Sequence, residues 1–232
     1  MKISAVIFAR KGSKRVKNKM YRKFLGKSLI EIKIEQLLKT KVNEIIVGSD
    51  DLKIEKIVNK FKKNNKYKKD IKFFLRKKKY CVESCTINDA IKNMLSYFST
   101  DIVLWAHLTN PLTNEKHFNE AIEIFKKLNK KKYDSLFSAT KVIDYFWDQN
   151  KKPINHNPLE KIHTILSTGK IRPLYTDNGS IFIRKHKDMI KDGRFWGKRG
   201  FMYVMGLIDS WDINTKWDLE ASQLKSFRDL KK

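Results

Sequence analysis

Short apolar runs and helix-period patterns take turns along most of this chain. Continuous or near-continuous apolar stretches at 3–9, 44–48, 71–75, 102–106 and 135–139 predict strands. Between them, apolar residues recur every three or four positions. At 52–63 they are Leu52, Ile54, Ile57, Val58 and Phe61, and within 86–98 they are Ile87, Ala90, Ile91, Met94 and Leu95. Helices are predicted at 28–39, 52–63, 86–98 and 115–128. A repeating strand–helix order of this kind predicts a Rossmann-like α/β fold, with a mostly parallel central sheet covered by helices on both faces. In such sheets ligands bind beyond the carboxyl ends of the strands.

The rhythm stops at residue 141. From 141 to 176 the chain is polar, aromatic and proline-bearing, with no long periodic helix. This stretch reads as an excursion from the core, serving as a subunit contact or a lid. Regular patterning returns at 179–184 and 201–207, and a last helix is predicted over 216–227. No linker or internal repeat interrupts residues 1–232, so one domain is expected.

Composition narrows the picture. With 232 residues, 41% of them hydrophobic, there is material for a sizeable core. No apolar run approaches the ~20 residues that span a bilayer. The first apolar run is too short for a secretory signal and leads straight into basic residues, which points to the cytoplasm. The net charge of +26 raises the possibility of a nucleic-acid binder. Only nine of the 51 basic residues are Arg, however, and runs such as Lys77–Lys79 and Lys130–Lys132 read as solvated faces. Cys81 and Cys85 have no histidine cluster nearby and read as reduced thiols. His117, His156, His163 and His186 lack metal-ligand spacing.

The segment following the first strand carries the clearest chemistry. Ala9-Arg10-Lys11-Gly12-Ser13-Lys14-Arg15 runs on through Lys17, Lys19, Arg22 and Lys23. A strand that empties into a small, polar, cationic loop brings backbone N–H groups and positive side chains together, as a polyphosphate requires. It is not a Walker motif, because Tyr21 stands where the first glycine of G-x-x-x-x-G-K-S should be; nor is a G-x-G-x-x-G fingerprint present. The bland alternative is an ordinary basic surface loop.

Seven blocks, in order, resemble the cytidylyltransferases that activate sugar acids, the CMP-N-acylneuraminate and CMP-3-deoxy-manno-octulosonate synthetases. They are Ala9–Lys14 with Lys19 and Leu25–Ile30; Ser49-Asp50-Asp51; Phe74-Leu75-Arg76; Thr109-Asn110-Pro111-Leu112; Asp134–Ser138; Asn178–Ile183; and Ser210–Thr215 with Asp218. The resemblance implies a nucleotide-diphospho-sugar transferase type of fold. It implies CTP and a small anionic sugar acid as partners, with a nonulosonic acid favoured over an octulosonate or a phosphonate, and a homodimer. Arg10 and Lys19 become the catalytic cations, Arg10 forking onto phosphate oxygens as Lys cannot. Ala9, Gly12, Ser13 and Lys14 would hold the nucleotide phosphates, and Arg76 with Ser84 or Thr86 the base and ribose. His107, Thr109, Asn110, Lys141 and Asn178 would face the acceptor. Mg2+ would sit on Asp212 and the residue at 214.

The chain departs from the family pattern at Lys11, Met20 and Ser28, at His107 (usually Gln) and at Asn214 (usually a second carboxylate). A catalytically silent homologue would bind CTP without releasing pyrophosphate. Tyr145-Phe146-Trp147 reads as subunit packing rather than sugar stacking. Phe195-Trp196 reads similarly, and Arg194, Lys198 and Arg199 could reach a neighbouring subunit's site.

Overall fold

The computed structural model describes residues 1–159 and 171–229. The predicted alternation is present: β1 (Ile3–Ala9), α1 (Leu29–Leu38), β4 (Glu44–Ser49), α2 (Leu52–Lys63), β5 (Asp70–Leu75), α3 (Ile87–Leu95), β6 (Ile102–Ala106), α4 (Glu115–Lys127) and β7 (Ser135–Val142). Then come β8 (Leu174–Lys185), α5 (His186–Asp192), β9 (Gly200–Met205) and α6 (Lys216–Asp229). A two-residue hairpin, β2 (Lys23–Phe24) with β3 (Lys27–Ser28), lies between β1 and α1.

Seven strands form one sheet in the order β5-β4-β1-β6-β8-β7-β9. Only β8 runs antiparallel to its neighbours β6 and β7, so the expected mostly parallel sheet is what forms. Strand side chains alternate between the two faces. Val6, Ile46, Val103, Trp105 and Phe182 pack with Ile91, Met94 and Leu95 of α3 and Met189 of α5. Ala5, Ile7, Ile45, Val47, Leu104 and Ile183 pack on the other face, with Ile30 and Ile34 of α1, Val58 of α2 and Phe118 and Phe125 of α4. Helices therefore cover both faces.

Helix starts follow their caps. Ser28 and Glu31 form a reciprocal capping box at α1, and the Asp51 carboxylate accepts the Lys53 N–H at α2. Thr86 caps α3 rather than beginning it, and that helix stops at Leu95, short of the predicted 98.

Two features differ from the sequence reading. The excursion is shorter than 141–176, because β7 continues to Val142 and β8 begins at Leu174, with Lys141 paired to Tyr175. In that stretch Lys141 and Tyr175 are exposed and Val142 and Leu174 only half-buried, so no alternation marks it. A bulge between Phe137 and Ala139 also shifts its register. The seven-residue α5 is too short for a visible period; Gly193, at φ 66, ends it, its N–H donating to Met189 O at 2.8 Å. Within the excursion, the buried Asn155 amide ties its base: Nδ2 donates to Asp144 O (2.7 Å) and Arg172 O (2.9 Å), and Oδ1 accepts the Phe146 N–H. Residues 160–170, with His163, lie outside the described residues. The lysine runs at 77–79 and 130–132 are exposed, as expected of solvated faces.

Candidate active site

The carboxyl ends of β1, β4, β6, β7 and β9 all point to one edge of the sheet, and the antiparallel β8 brings its first half to the same edge. Two adjoining cavities open there. The first, of ≈ 270 Å³, is lined by Arg10, Ser13, Lys14, Arg15 and Lys19 from the loop after β1, and by His107, Leu108 and Thr109 after β6. Its floor is Phe8, Trp105, Met20 and Phe195. Four cations and no carboxylate face it. The second, of ≈ 650 Å³, contains Asp177, Asp212 and Asp218 and no Lys or Arg among its lining residues. Ile87, His107 and Phe195 line both cavities.

The basic loop is staked down by polar contacts. Gly12 adopts φ 85, a conformation glycine takes without strain. The Lys11 N–H donates to Asp50 Oδ1 at 2.8 Å, which gives the second resemblance block a structural role. Lys14 pairs with Glu83, joining the basic loop to the 77–86 loop. Arg10 stays exposed. Lys19 is half-buried and donates to Ile213 O at 2.6 Å. Burial pulls its ammonium below the usual lysine range, with Arg15 adding to the effect and Asp212 and Asp218 opposing it.

On the carboxylate side, Asp212 Oδ2 accepts from Asn214 Nδ2 at 2.6 Å. Asp212 Oδ1 is buried with no hydrogen-bond partner. An orphaned carboxylate oxygen suits a hard cation, which would take its remaining ligands from substrate phosphates and water. Among the described residues no group of three or more His, Cys, Asp or Glu could hold an ion alone. Asp218 is occupied elsewhere: its Oδ2 accepts the Asn214 and Thr215 N–H groups and the Thr215 hydroxyl at the start of α6.

His107 is half-buried, its ring against Phe182 (5.6 Å) and Phe195 (5.4 Å). Burial pushes its pKa down to about 4, with Lys33 contributing and Asp212 opposing. The imidazole is therefore neutral at physiological pH, with one N–H donor and one bare nitrogen.

The sixteen residues singled out from the sequence divide. Arg10, Ser13, Lys14, Lys19, His107, Thr109, Asn178, Asp212 and Asn214 line one cavity or both. Ala9 is buried at the end of β1, and Gly12 shapes the loop. Arg76 is buried behind the cavity floor, its guanidinium stacked 3.6 Å from the Phe8 ring centroid and donating to Tyr80 O; its Nε and Nη1 have no partner. Ser84 is exposed in a turn, and the Thr86 hydroxyl is engaged with Asp89. Lys141 is exposed on β7 and lines neither cavity. Asn110 is fully buried, and its Nδ2 donates to Asn178 O and Ser210 O. The Asn178 amide is itself spent on Ser138, Thr140 and the Ser180 N–H.

Several lining residues were not read as site residues in the sequence, and Phe195-Trp196, read there as subunit packing, lines the cavities instead. Phe8, Trp105, Phe195, Phe182 and Trp196 make a continuous aromatic run, with successive centroids 5.4, 5.0, 4.7 and 5.7 Å apart. On strands, Phe8, Trp105 and Phe182 look like ordinary core. Asp177, whose carboxyl burial pushes up, sits in a polar stretch with no periodicity to mark it.

A parallel sheet with a cationic loop after its first strand, opposite a carboxylate after its last, has the architecture of a nucleotidyltransferase. The sequence model of the cytidylyltransferase family matches residues 4–191, and the chain belongs to that family. It is 27% identical over 238 residues to the N-acylneuraminate cytidylyltransferase of Escherichia coli O18:K1:H7, covering 95% of this chain and 51% of that protein. It is 26% identical over 234 residues to the pseudaminic acid cytidylyltransferase of Campylobacter jejuni serotype O:23/36, covering 97% and 96%. The chain thus spans about half the length of the first relative and nearly all of the second. Among solved structures, the CMP:2-keto-3-deoxy-manno-octonic acid synthetase complexed with CTP shares the fold at a TM-score of 0.67 and 13% identity, covering 99% of this chain and 100% of that one. The 4-diphosphocytidyl-2C-methyl-D-erythritol synthase of Anaerococcus prevotii does so at 0.67 and 16%, covering 97% and 96%.

Proposed function

We propose that this chain, acting as a single domain, transfers the cytidylyl group of CTP to a hydroxyl of an acidic sugar, a nonulosonic acid above all, and releases pyrophosphate. The observation that carries this reading is the shared wall: a four-cation cavity fit for a triphosphate meets a carboxylate-bearing cavity at His107. The names of the Escherichia coli and Campylobacter jejuni relatives favour a nonulosonic acceptor.

The acceptor oxygen attacks the α-phosphorus of CTP while the bond to the β-phosphate oxygen breaks. Catalysis here is largely positioning and charge stabilisation. Arg10 grips the phosphates bidentately; Lys19 faces the charge that gathers on the departing diphosphate; Ser13, Lys14 and the amides beside Gly12 complete the cradle. Arg76, stacked behind Phe8, supports the cavity floor rather than reaching the base. Neutral His107 meets the acceptor hydroxyl at the shared wall, its bare nitrogen able to take the hydroxyl proton. Mg2+ fits at Asp212, with Asn214 beside it, and when bound would neutralise charge on the phosphate oxygens.

The arm between β7 and β8 suits a subunit contact, since Ile143, Trp147 and Ile154 are exposed along it. No described helix is long and apolar enough to cross a membrane. The test is a pyrophosphate-release screen with CTP, Mg2+ and a panel of nonulosonic acids, octulosonate and phosphonates. Release with a nonulosonic acid is expected. CTP binding without release from any acceptor would mark a silent homologue, and steeply salt-dependent binding of DNA with no effect of CTP would replace this reading with nucleic-acid binding.

A further inference from the structure

Lys33 lies on the apolar face of α1 among Ile30, Ile34 and Leu37, and it is fully buried. Among the described residues no carboxylate pairs with it. Its ammonium donates to Asn110 O (2.9 Å) and Thr113 O (3.3 Å), and lies 5.0 Å from the centroid of the Phe118 ring. One turn along the same helix, Gln36 Nε2 donates to Pro111 O at 2.7 Å. Three carbonyls of the loop after β6 are thus turned toward α1 and held there by two side chains.

The other side of that loop holds the site. Asn110 Nδ2 donates to Asn178 O and Ser210 O, Thr113 Oγ1 donates to Asp209 O, and Thr109 O accepts the Ile213 N–H at 2.9 Å. Every one of these contacts lands on the first half of β8 or on the turn that carries Asp212. A leucine or methionine would fill the Lys33 position without burying a charge, and a buried ammonium facing only carbonyls is costly. Burial accordingly draws its pKa down to about 7. A side chain so poorly suited to its surroundings earns its place by its donors.

We propose that Lys33 is a positioning residue for cytidylyl transfer, a buried strut that holds the 109–113 loop and, through it, the Asp212 turn against the nucleotide cavity. The proposal rests on the reading given under Proposed function. Lys33→Met keeps the length and apolar stem and removes the donors, while Lys33→Gln keeps an N–H donor pair. The Met variant is expected to melt no lower than wild type, to keep its KM for CTP within about twofold and to lose about 10²-fold in kcat, the scale of a misplacement of about 1 Å. The Gln variant is expected to recover part of that loss. Hydrogen exchange of peptides covering 107–114 and 206–214 is expected to quicken at least about tenfold in the Met variant, because the carbonyls that anchor the loop lose their donors. Wild-type kcat in the Met variant, or unchanged exchange in both segments, would overturn the proposal. Should the Met variant fail to fold, Lys33→Leu, which also removes the donors, carries the same comparison, and wild-type exchange and kcat in it overturn the proposal too. The exchange measurement needs no acceptor, so a wild-type protein that turns over none of the panel counts against the proposed function and leaves the strut to be decided by exchange.

Discussion

The Asn214 side-chain amide donates to one oxygen of Asp212 at 2.6 Å, while the other Asp212 oxygen is buried and unpartnered. The pair is polarised: Asn214 satisfies one oxygen of the carboxylate and leaves the buried one free, where Mg2+ is proposed to sit. Asn214→Asp adds a second negative charge at the site. It should tighten the Mg2+ requirement for pyrophosphate release by about tenfold, equivalent to about 1.4 kcal/mol. Asp212→Asn should raise that requirement and cut turnover about 10²-fold. A metal titration that superimposes on wild type for both variants would remove the cation from this position.

Arg10 is exposed on a loop whose shape is held by Lys11, Asp50, Lys14 and Glu83. Removing its side chain should leave the fold alone. Arg10→Ala should keep the wild-type melting temperature and circular dichroism and lose about 10²–10³-fold in kcat. Arg10→Lys should recover little, since an ammonium cannot fork onto two phosphate oxygens. Full activity in either variant contradicts the clamp assignment.

His107 gives the protein a measurable dependence on acid. Its pKa of about 4 in the fold lies below the 6.5 of an ordinary histidine. Between those values the unfolded chain holds a proton that the folded chain does not, so stability falls as pH drops through the window and is fully present above it. The slope from this group is about 1.4 kcal/mol per pH unit. Denaturant unfolding from pH 4 to 8 should show wild type losing more stability than His107→Gln on acidification, with parallel curves above about pH 7. Curves that stay parallel down to pH 4 would mean the imidazole is not held neutral.

Gly193 closes α5 just before the Phe195-Trp196 segment of the cavity wall. A Cβ there would meet Asn88 O at 2.5 Å, and the residue sits at φ 66. Gly193→Ala should cost about 2 kcal/mol or more from backbone conformation and clash together. Because Phe195 lines both cavities, it should also raise the KM for the acceptor; thermal melts and steady-state kinetics read the two effects separately.

The parts of the fold legible in the sequence were those with one apolar face and a regular period. β1, β6 and the buried stripes of α2 and α4 are examples. The outer half of β8 was missed because Thr176 and Asp177 pair in the ladder without burying an apolar face. In the site, Arg10, Lys19 and Asp212 could be read because each stands in a recognisable block, and His107 because it directly follows β6. Lys33 could not: a lysine in an amphipathic helix looks solvated, and only tertiary packing shows that α1 turns it inward. The roles of Thr86 and Asn110 were obscured for the opposite reason. Polar residues inside motif blocks invite a ligand reading, although capping and loop closure use the same groups.

Lys19 and the carbonyl of Ile213 are separated by 194 residues, and their hydrogen bond joins the first loop of the chain to one of its last turns. During synthesis the cationic loop leaves the ribosome long before the turn that supplies Asp212 exists. The two walls of the site meet through this contact between the two ends of the chain, so neither end alone holds both Lys19 and Asp212.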